Sequence, residues 1–270
     1  MIDDVDFVAL DTETTGLGPV AARVVEIGAV RFRGGREVAR FETLVDPRVP
    51  IPPEASAIHG LRDADVAGAP DFDPAARRFL EFARGAVLVA HNAAFDASIL
   101  APEFARSGIE PSLEPLLCSC RLARKAFRGA FRSFSLGALV RELGIGRSAA
   151  HRALADALAA KEVFLRALER PEPPATLADL LRRHGPVFRL SGRARPGARL
   201  PSPLAAIGRA AEEGAPVEFA YELPDGRVVP IRARARRLFT VGRVSYLDTD
   251  DGAGRGAART FRVDRILLPG

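Results

Sequence analysis

The chain has 270 residues, room for one ordinary domain and a smaller one. Hydrophobic residues make up 47% and charged residues 27%, balanced in sign, which excludes a disordered acidic or basic chain. No apolar run is long enough to span a bilayer, and two cysteines, Cys118 and Cys120, are too few for a disulfide framework or a structural zinc site. The opening MIDDVDFVAL is acidic and enters a strand pattern at once, unlike a secretory signal, which predicts a cytoplasmic protein. Residues 1–170 hold 22 Lys+Arg and 23 Asp+Glu, whereas residues 171–270 hold 17 and 11, so the net charge of +5 arises in the last hundred residues. A basic excess of that kind favours a polyanionic partner. A free use of arginine gives the same number, since Lys125 and Lys161 are the only lysines, and the charge alone does not choose between the two.

In chain order, Val5–Asp11 is a short apolar run ending in an acid. Arg23–Phe32 and Phe41–Val45 read as its neighbours, with a turn at Gly34-Gly35. Pro74–Arg84 has helical spacing with proline suited to a first turn, and Ala86–Ala90 is a buried-strand candidate. Helical segments follow near 95–108, 119–127, 135–143 and 151–169. Strands first, then strand and helices, predict an α/β mixed sheet with helices packed on it, over residues 1–170. Residues 171–203 open on PEPP and close on GRARPGARLPSP, a composition that reads as a linker, interrupted by a helix from Thr176, its cap, to His184. Residues 204–270 carry a helix (Leu204–Glu213) and then β-rich segments, with turn signals at Pro224-Asp225-Gly226 and Asp250-Asp251-Gly252.

Three acidic motifs occur in order. Asp11-Thr12-Glu13 follows the first strand, and strand alternation points Asp11 and Glu13 the same way. Side-by-side carboxylates repel unless a cation lies between them, and a hard divalent ion prefers such oxygen ligands. His91-Asn92-Ala93-Ala94-Phe95-Asp96 brings a third carboxylate from a strand end into a helix start. His151-Arg152-Ala153-Leu154-Ala155-Asp156 opens the long helix with a fourth. Singly each motif is weak, because D-x-E is common and a histidine near a helix start is often a cap. Together they suit phosphodiester hydrolysis. Two ions activate a water and stabilise the leaving oxygen, held by Asp11, Glu13, Asp96 and Asp156, and His151 serves as a base titrating near neutral pH.

With these motifs in place, residues 5–168 resemble the DEDDh, or DnaQ-like, 3′→5′ exonuclease family. The segments RVVEIGAV (23–30), IHGL (58–61), HNAAFD (91–96), SLGALVRELGI (135–145) and HRALADA (151–157) carry the resemblance. It implies an RNase H-like fold, two Mg²⁺ or Mn²⁺ ions, and release of nucleoside 5′-monophosphates from single-stranded DNA or RNA 3′ ends. A DNA polymerase or repair partner is a further implication. Arg152, where the sister group has tyrosine, assigns the histidine form. Thr14, Leu17, Ile58, His59, Asn92 and Phe95 are implied to surround the terminal nucleotide, with an ordinary loop histidine the alternative for His59. Cys118-Ser119-Cys120 departs from an Asp-Thr pair frequent in the family. Arg121, Arg124, Lys125, Arg128 and Arg132 share one face if their helix persists, and either grip the substrate backbone or form a solvated face.

Residues 204–268 resemble a WYL domain, through Tyr221, Gly226, Ser245-Tyr246-Leu247 and the segment Arg259–Ile266. This implies a small SH3-like or Sm-like β-barrel with a nucleic-acid or nucleotide ligand at Tyr221, Tyr246, Arg262 and Arg265. Ser245 replaces the name-giving tryptophan, and Ala235 replaces a usual proline. A structural barrel without a ligand is the alternative. For the whole chain, the second reading is a nucleic-acid- or nucleotide-sensing regulatory protein in which the nuclease fold only binds.

Overall fold

The computed structural model describes residues 1–111, 115–146, 151–192, 194–250 and 258–267. The first sheet is built from β1 (Asp6–Thr14), β2 (Val24–Arg33) and β3 (Arg36–Leu44). After α1 (Pro53–His59) and α2 (Phe72–Phe82) come β4 (Val87–Ala90), α3 (Ala93–Arg106) and β5 (Leu116–Cys118). The strand order is β3-β2-β1-β4-β5. β1, β2 and β3 pair antiparallel, and β4 and β5 join β1 in parallel. Helices α4 (Ser119–Ala126), α5 (Leu136–Glu142) and α6 (Ala153–Leu168) complete this half.

Period-two alternation along β1 and β4 feeds two separate cores, which is why both strands read as continuous apolar runs. Val8, Leu10, Leu88 and Ala90 pack against α2 and α3 through Phe79, Ile99, Leu100 and Phe104. Phe7, Ala9, Val87 and Val89 face the other way, against Leu122, Leu139, Val163 and Phe164 from α4, α5 and α6. Asp11 and Glu13 continue the second register, so they end on the α6 side. Thr12 continues the first and faces α3.

The stretch expected to be a linker is built into the fold. Thr176 and Asp179 form a reciprocal cap on α7 (Leu177–His184). His184, fully buried, accepts a hydrogen bond from the Cys118 backbone N–H at 2.8 Å, and Phe188 exchanges backbone hydrogen bonds with Leu116. β6 (Ala194–Pro196) then joins the second sheet by pairing with β8.

That sheet contains β7 (Pro216–Glu222), β8 (Val228–Val241), β9 (Val244–Asp250), β10 (Arg259–Arg262) and β11 (Ile266–Leu267), preceded by α8 (Ala205–Glu213). Its order is β10-β9-β8-β7-β11, all antiparallel, and it curls into a half-barrel around Ile207, Val217, Phe219, Leu247 and Phe261. The turn at Pro224–Gly226 lies between β7 and β8, with Gly226 at φ 83°. Of the second expected turn, Asp251 and Gly252 lie outside the described residues. Among the described residues no helix is long and apolar enough to cross a membrane.

The two halves meet on α3. Ala101 and Ala105 pack against Ala194, Phe239 and Tyr246. Beside this apolar patch, Asp248 of β9 pairs with Arg23 at 3.1 Å and with Arg106, and Glu103 pairs with the same two arginines. All four side chains are buried.

Candidate active site

Carboxylate oxygens of Asp11, Glu13 and Asp156 lie within 4.8 Å of one another. Asp11 and Glu13 project from the end of β1. Asp156 comes from the first turn of α6, and two residues of β2 determine where that turn sits. Gly28, opposite Asp11, has no room for a side chain: a Cβ there would lie 2.1 Å from the Leu154 nitrogen. Glu26, opposite Glu13 and fully buried, accepts from the Ala153 backbone N–H at 2.9 Å. It also accepts both Nε and Nη2 of Arg152. A carboxylate at the first N–H groups of a helix satisfies a donor left over by the helix geometry and suits the helix dipole. Glu26 therefore caps α6 from a neighbouring strand.

The electrostatics of the cluster are those of acids crowded together. Burial, then the neighbouring charges of Asp156 and Glu26, push Glu13 up to about 7. Burial also pushes Asp96 up to about 7, opposed by its own backbone and the Thr12 hydroxyl. Asp96 stands outside the group of three because it arrives from α3, on the other layer. Its Oδ1 lies 3.4 Å from the Thr12 hydroxyl, which donates to it, and its charge still raises Glu13. An all-oxygen donor set, with Glu13 and Asp96 holding their protons up to about 7, fits a hard divalent cation.

The other expected residues divide into two groups. Leu17, in the loop after β1, and Ile58, in the last turn of α1, are exposed apolar side chains, 79% and 58% accessible. Asn92 is exposed in the left-handed conformation (φ 63°) at the start of α3, and Phe95 is partly buried in the core. His151 is exposed, also left-handed (φ 57°), one residue before the α6 cap. By contrast, Thr14 turns its hydroxyl onto the Gly16 carbonyl at 2.7 Å. His59 is buried: its Nδ1 accepts from the Leu61 N–H at 3.0 Å, and its Nε2 has no hydrogen-bond partner among the described residues. Burial holds the His59 ring below the usual imidazole range, with the Thr14 backbone and Glu26 pulling the other way. Its ring thus supports the loop from inside.

The single basic face does not form, because α4 ends at Ala126. Arg121 and Lys125 instead donate to backbone carbonyls at the end of α7, from Pro186, Arg183 and His184. Arg124 and Arg132 turn the other way, towards His91 and Asn92. Ser119, in the departing Cys-Ser-Cys segment, is buried 2.9 Å from the His91 Nδ1.

In the second half, Tyr221, Tyr246 and Arg262 gather. The Tyr221 hydroxyl accepts from the Arg262 N–H at 3.2 Å, and Tyr246 pairs in register with Arg262. Tyr246 also stacks on Phe239, and Arg262 pairs with Asp264 at 2.7 Å. Arg265 lies in the turn before β11 and is half-buried. Ala235 is fully buried.

Comparison with known proteins agrees with this arrangement. Residues 8–164 match the profile of the RNase T exonuclease family. The chain belongs to that family. Residues 203–268 match the WYL domain. Among the chain's relatives, a DNA polymerase III subunit epsilon-like protein of Rhodobacter capsulatus is 45% identical over 172 residues, covering 62% of this chain and 24% of that protein. The DNA polymerase III subunit epsilon of Treponema pallidum is 38% identical over 163 residues, covering 60% of this chain and 76% of that protein. Several relatives are much longer, and the chain spans about a quarter or less of their length. Exonuclease X, solved with 5′ overhanging duplex DNA, superposes with a TM-score of 0.54 at 26% identity, over 66% of this chain and 99% of that one.

Proposed function

We propose that this exonuclease domain removes nucleoside 5′-monophosphates one at a time from the 3′ end of a single strand, with two divalent ions, Mg²⁺ or Mn²⁺. The observation that carries the reading is the set of three carboxylates within 4.8 Å, supplied by one strand end and one helix start. Asp11, Glu13 and Asp156 would hold the ions, with Asp96 completing the set from α3. When bound, such ions supply the positive charge that lowers the cost of ionising the attacking water and of expelling the leaving oxygen. His151, exposed beside the start of α6, takes the proton of the attacking water. Its position ahead of the helix leaves the ring able to swing over the substrate. Leu17, from the loop after β1, and Ile58, from the last turn of α1, offer apolar surface to the terminal base. The relatives and the neighbour are named for DNA, which favours DNA as the substrate and a polymerase or repair protein as a partner.

The reading in which the fold only binds and senses nucleic acid draws no support from the site, since every acid the chemistry needs is present. The WYL half is the part of that reading worth keeping: Tyr221, Tyr246 and Arg262 together suit stacking on a base and pairing with phosphate.

Digestion of 5′-labelled single-stranded DNA and RNA with Mg²⁺, Mn²⁺ or EDTA tests the proposal. A ladder shrinking from the 3′ end, absent in EDTA and in Asp11→Ala, is the expected result. Cleavage surviving in Asp11→Ala, or none by the wild-type protein in any metal, would overturn it.

A further inference from the structure

Arg124 and Arg132 flank a cleft of about 590 Å³ whose other wall includes His91 and Asn92. We propose that this cleft is a phosphate track for the one or two nucleotides 5′ of the scissile bond, an inference that rests on the exonuclease reading. The first ground is position. Ala90 pairs with Leu10, so His91 and Asn92 leave β4 beside Asp11 and Thr12, about one strand spacing (~5 Å) away. A strand whose last phosphodiester lies over Asp11 has its preceding phosphates within reach of this edge.

The second ground is chemistry. The lining offers two guanidinium groups, the Asn92 amide and the hydroxyls of Ser133 and Ser135, and it includes no carboxylate. Neither arginine carries a salt bridge to a carboxylate among the described residues. Arginine in this setting suits phosphate oxygens, which it meets with paired N–H donors.

The third ground is preorganisation. The Arg124 guanidinium lies over the Phe134 ring at 5.3 Å. The Phe134 carbonyl is tied to the His91 Nε2 at 2.9 Å, and the His91 Nδ1 to Ser119 at 2.9 Å. The wall of the cleft is thus fixed to the strand that leads to Asp96. Arg121 and Lys125, engaged with the end of α7, do not compete for this role.

The test compares two probes, a 5′-labelled thymidine dodecamer and the p-nitrophenyl ester of thymidine 5′-monophosphate, which is too short to enter the cleft. In Arg124→Gln/Arg132→Gln, the ratio of kcat/KM on the dodecamer to that on the ester is expected to fall on the order of 100-fold. The slope of log kcat/KM against log salt should flatten by about 1.4, as expected for two lost phosphate contacts on a single strand. Arg132→Gln alone, at an exposed side chain, gives about half of each effect on a logarithmic scale and stands in should Arg124→Gln disturb Phe134. Arg128→Gln, an equal charge change at an exposed residue outside the cleft, keeps the ratio. An unchanged ratio in the double variant, or an equal fall in Arg128→Gln, would overturn the track. Wild-type protein hydrolysing neither probe would instead overturn the exonuclease reading beneath it.

Discussion

Two places in this molecule bring acids together away from water, and they resolve the repulsion in opposite ways. Between the two halves, Glu103 and Asp248 are interleaved with Arg23 and Arg106, two charges of each sign, and Thr260 donates to Asp248 at 2.6 Å. At the end of β1, Asp11, Glu13 and Asp156 face one another, and Glu13 answers by holding its proton up to about 7. Glu26 stands between the two cases: it lies opposite Glu13, yet its charge is met by Arg152 and a helix N–H. The first arrangement sets two charges of each sign against one another and joins the halves. The second gathers three carboxylates within 4.8 Å of one another, the donor set that a divalent cation prefers.

The largest expected effect tests that contrast directly. Asp248→Asn removes the acid shared by Arg23 and Arg106 and leaves buried positive charge unmatched, at a cost of about 3–5 kcal/mol. Asp156→Asn removes the charge that most strongly raises Glu13. In EDTA that relief of repulsion should make its loss of stability smaller than that of Asp248→Asn, while cleavage in Mg²⁺ is abolished. Calorimetry of both variants without metal gives the answer. Losses of equal size at the two positions would show that the acidic cluster is also held by internal compensation, and the comparison would fail.

A smaller effect is expected where geometry, rather than charge, assembles the cluster. Gly28→Ala puts a methyl group against the Ala153–Leu154 backbone, at 2.1–2.2 Å in the present arrangement. The start of α6 must then retreat, carrying Asp156 with it. A displacement of about 1 Å costs on the order of 100-fold in rate, or about 2.7 kcal/mol. Gly16→Ala, where a Cβ meets nothing within 4 Å, serves as the control and should be tolerated. If the Gly28 variant retained full activity, the seat of α6 on β2 would not be what positions Asp156.

Gly28 also marks the limit of what the sequence made legible. Alternation along a strand is local, so the shared face of Asp11 and Glu13 followed from their spacing, and Thr176 announced its cap by residue type. A glycine inside the apolar pattern VVEIGAV was a visible signal of close approach, but nothing local named α6 as what approaches. Glu26 looked like one more acid in a strand, and its partners lie 126 and 127 residues away. Arg23 and Asp248 are 225 residues apart, a pairing that no periodicity encodes. The helix near 119–127 was legible, but a basic face from Arg121 to Arg132 depended on its running on, and it stops short of Gly129, which adopts φ 77°. The basic residues beyond it therefore serve different surfaces. Residues 171–203 misled through composition: their prolines and arginines read as loose chain, while His184 and Phe188 tie the segment to β5.

The last effect concerns the protons held by the acidic cluster. In the metal-free protein Glu13 holds its proton up to about 7, above the 4.5 of an unperturbed glutamate, and Asp96 behaves likewise. Between roughly pH 4 and 7 the folded state therefore binds protons that the unfolded chain has released, and stability falls as pH rises. The contribution is present below the unfolded values and lost as pH passes 7, on the order of 3 kcal/mol for Glu13. Melting in EDTA should thus decline from about pH 5 to about pH 8. Mg²⁺ competes with those protons for the same oxygens, so its stabilising effect should grow over the same range, reversing the trend. In Glu13→Gln the decline in EDTA should be shallower and the Mg²⁺ effect smaller. A wild-type protein whose metal-free melting temperature rises between pH 5 and pH 8 would show that the acids at the end of β1 are already neutralised from within.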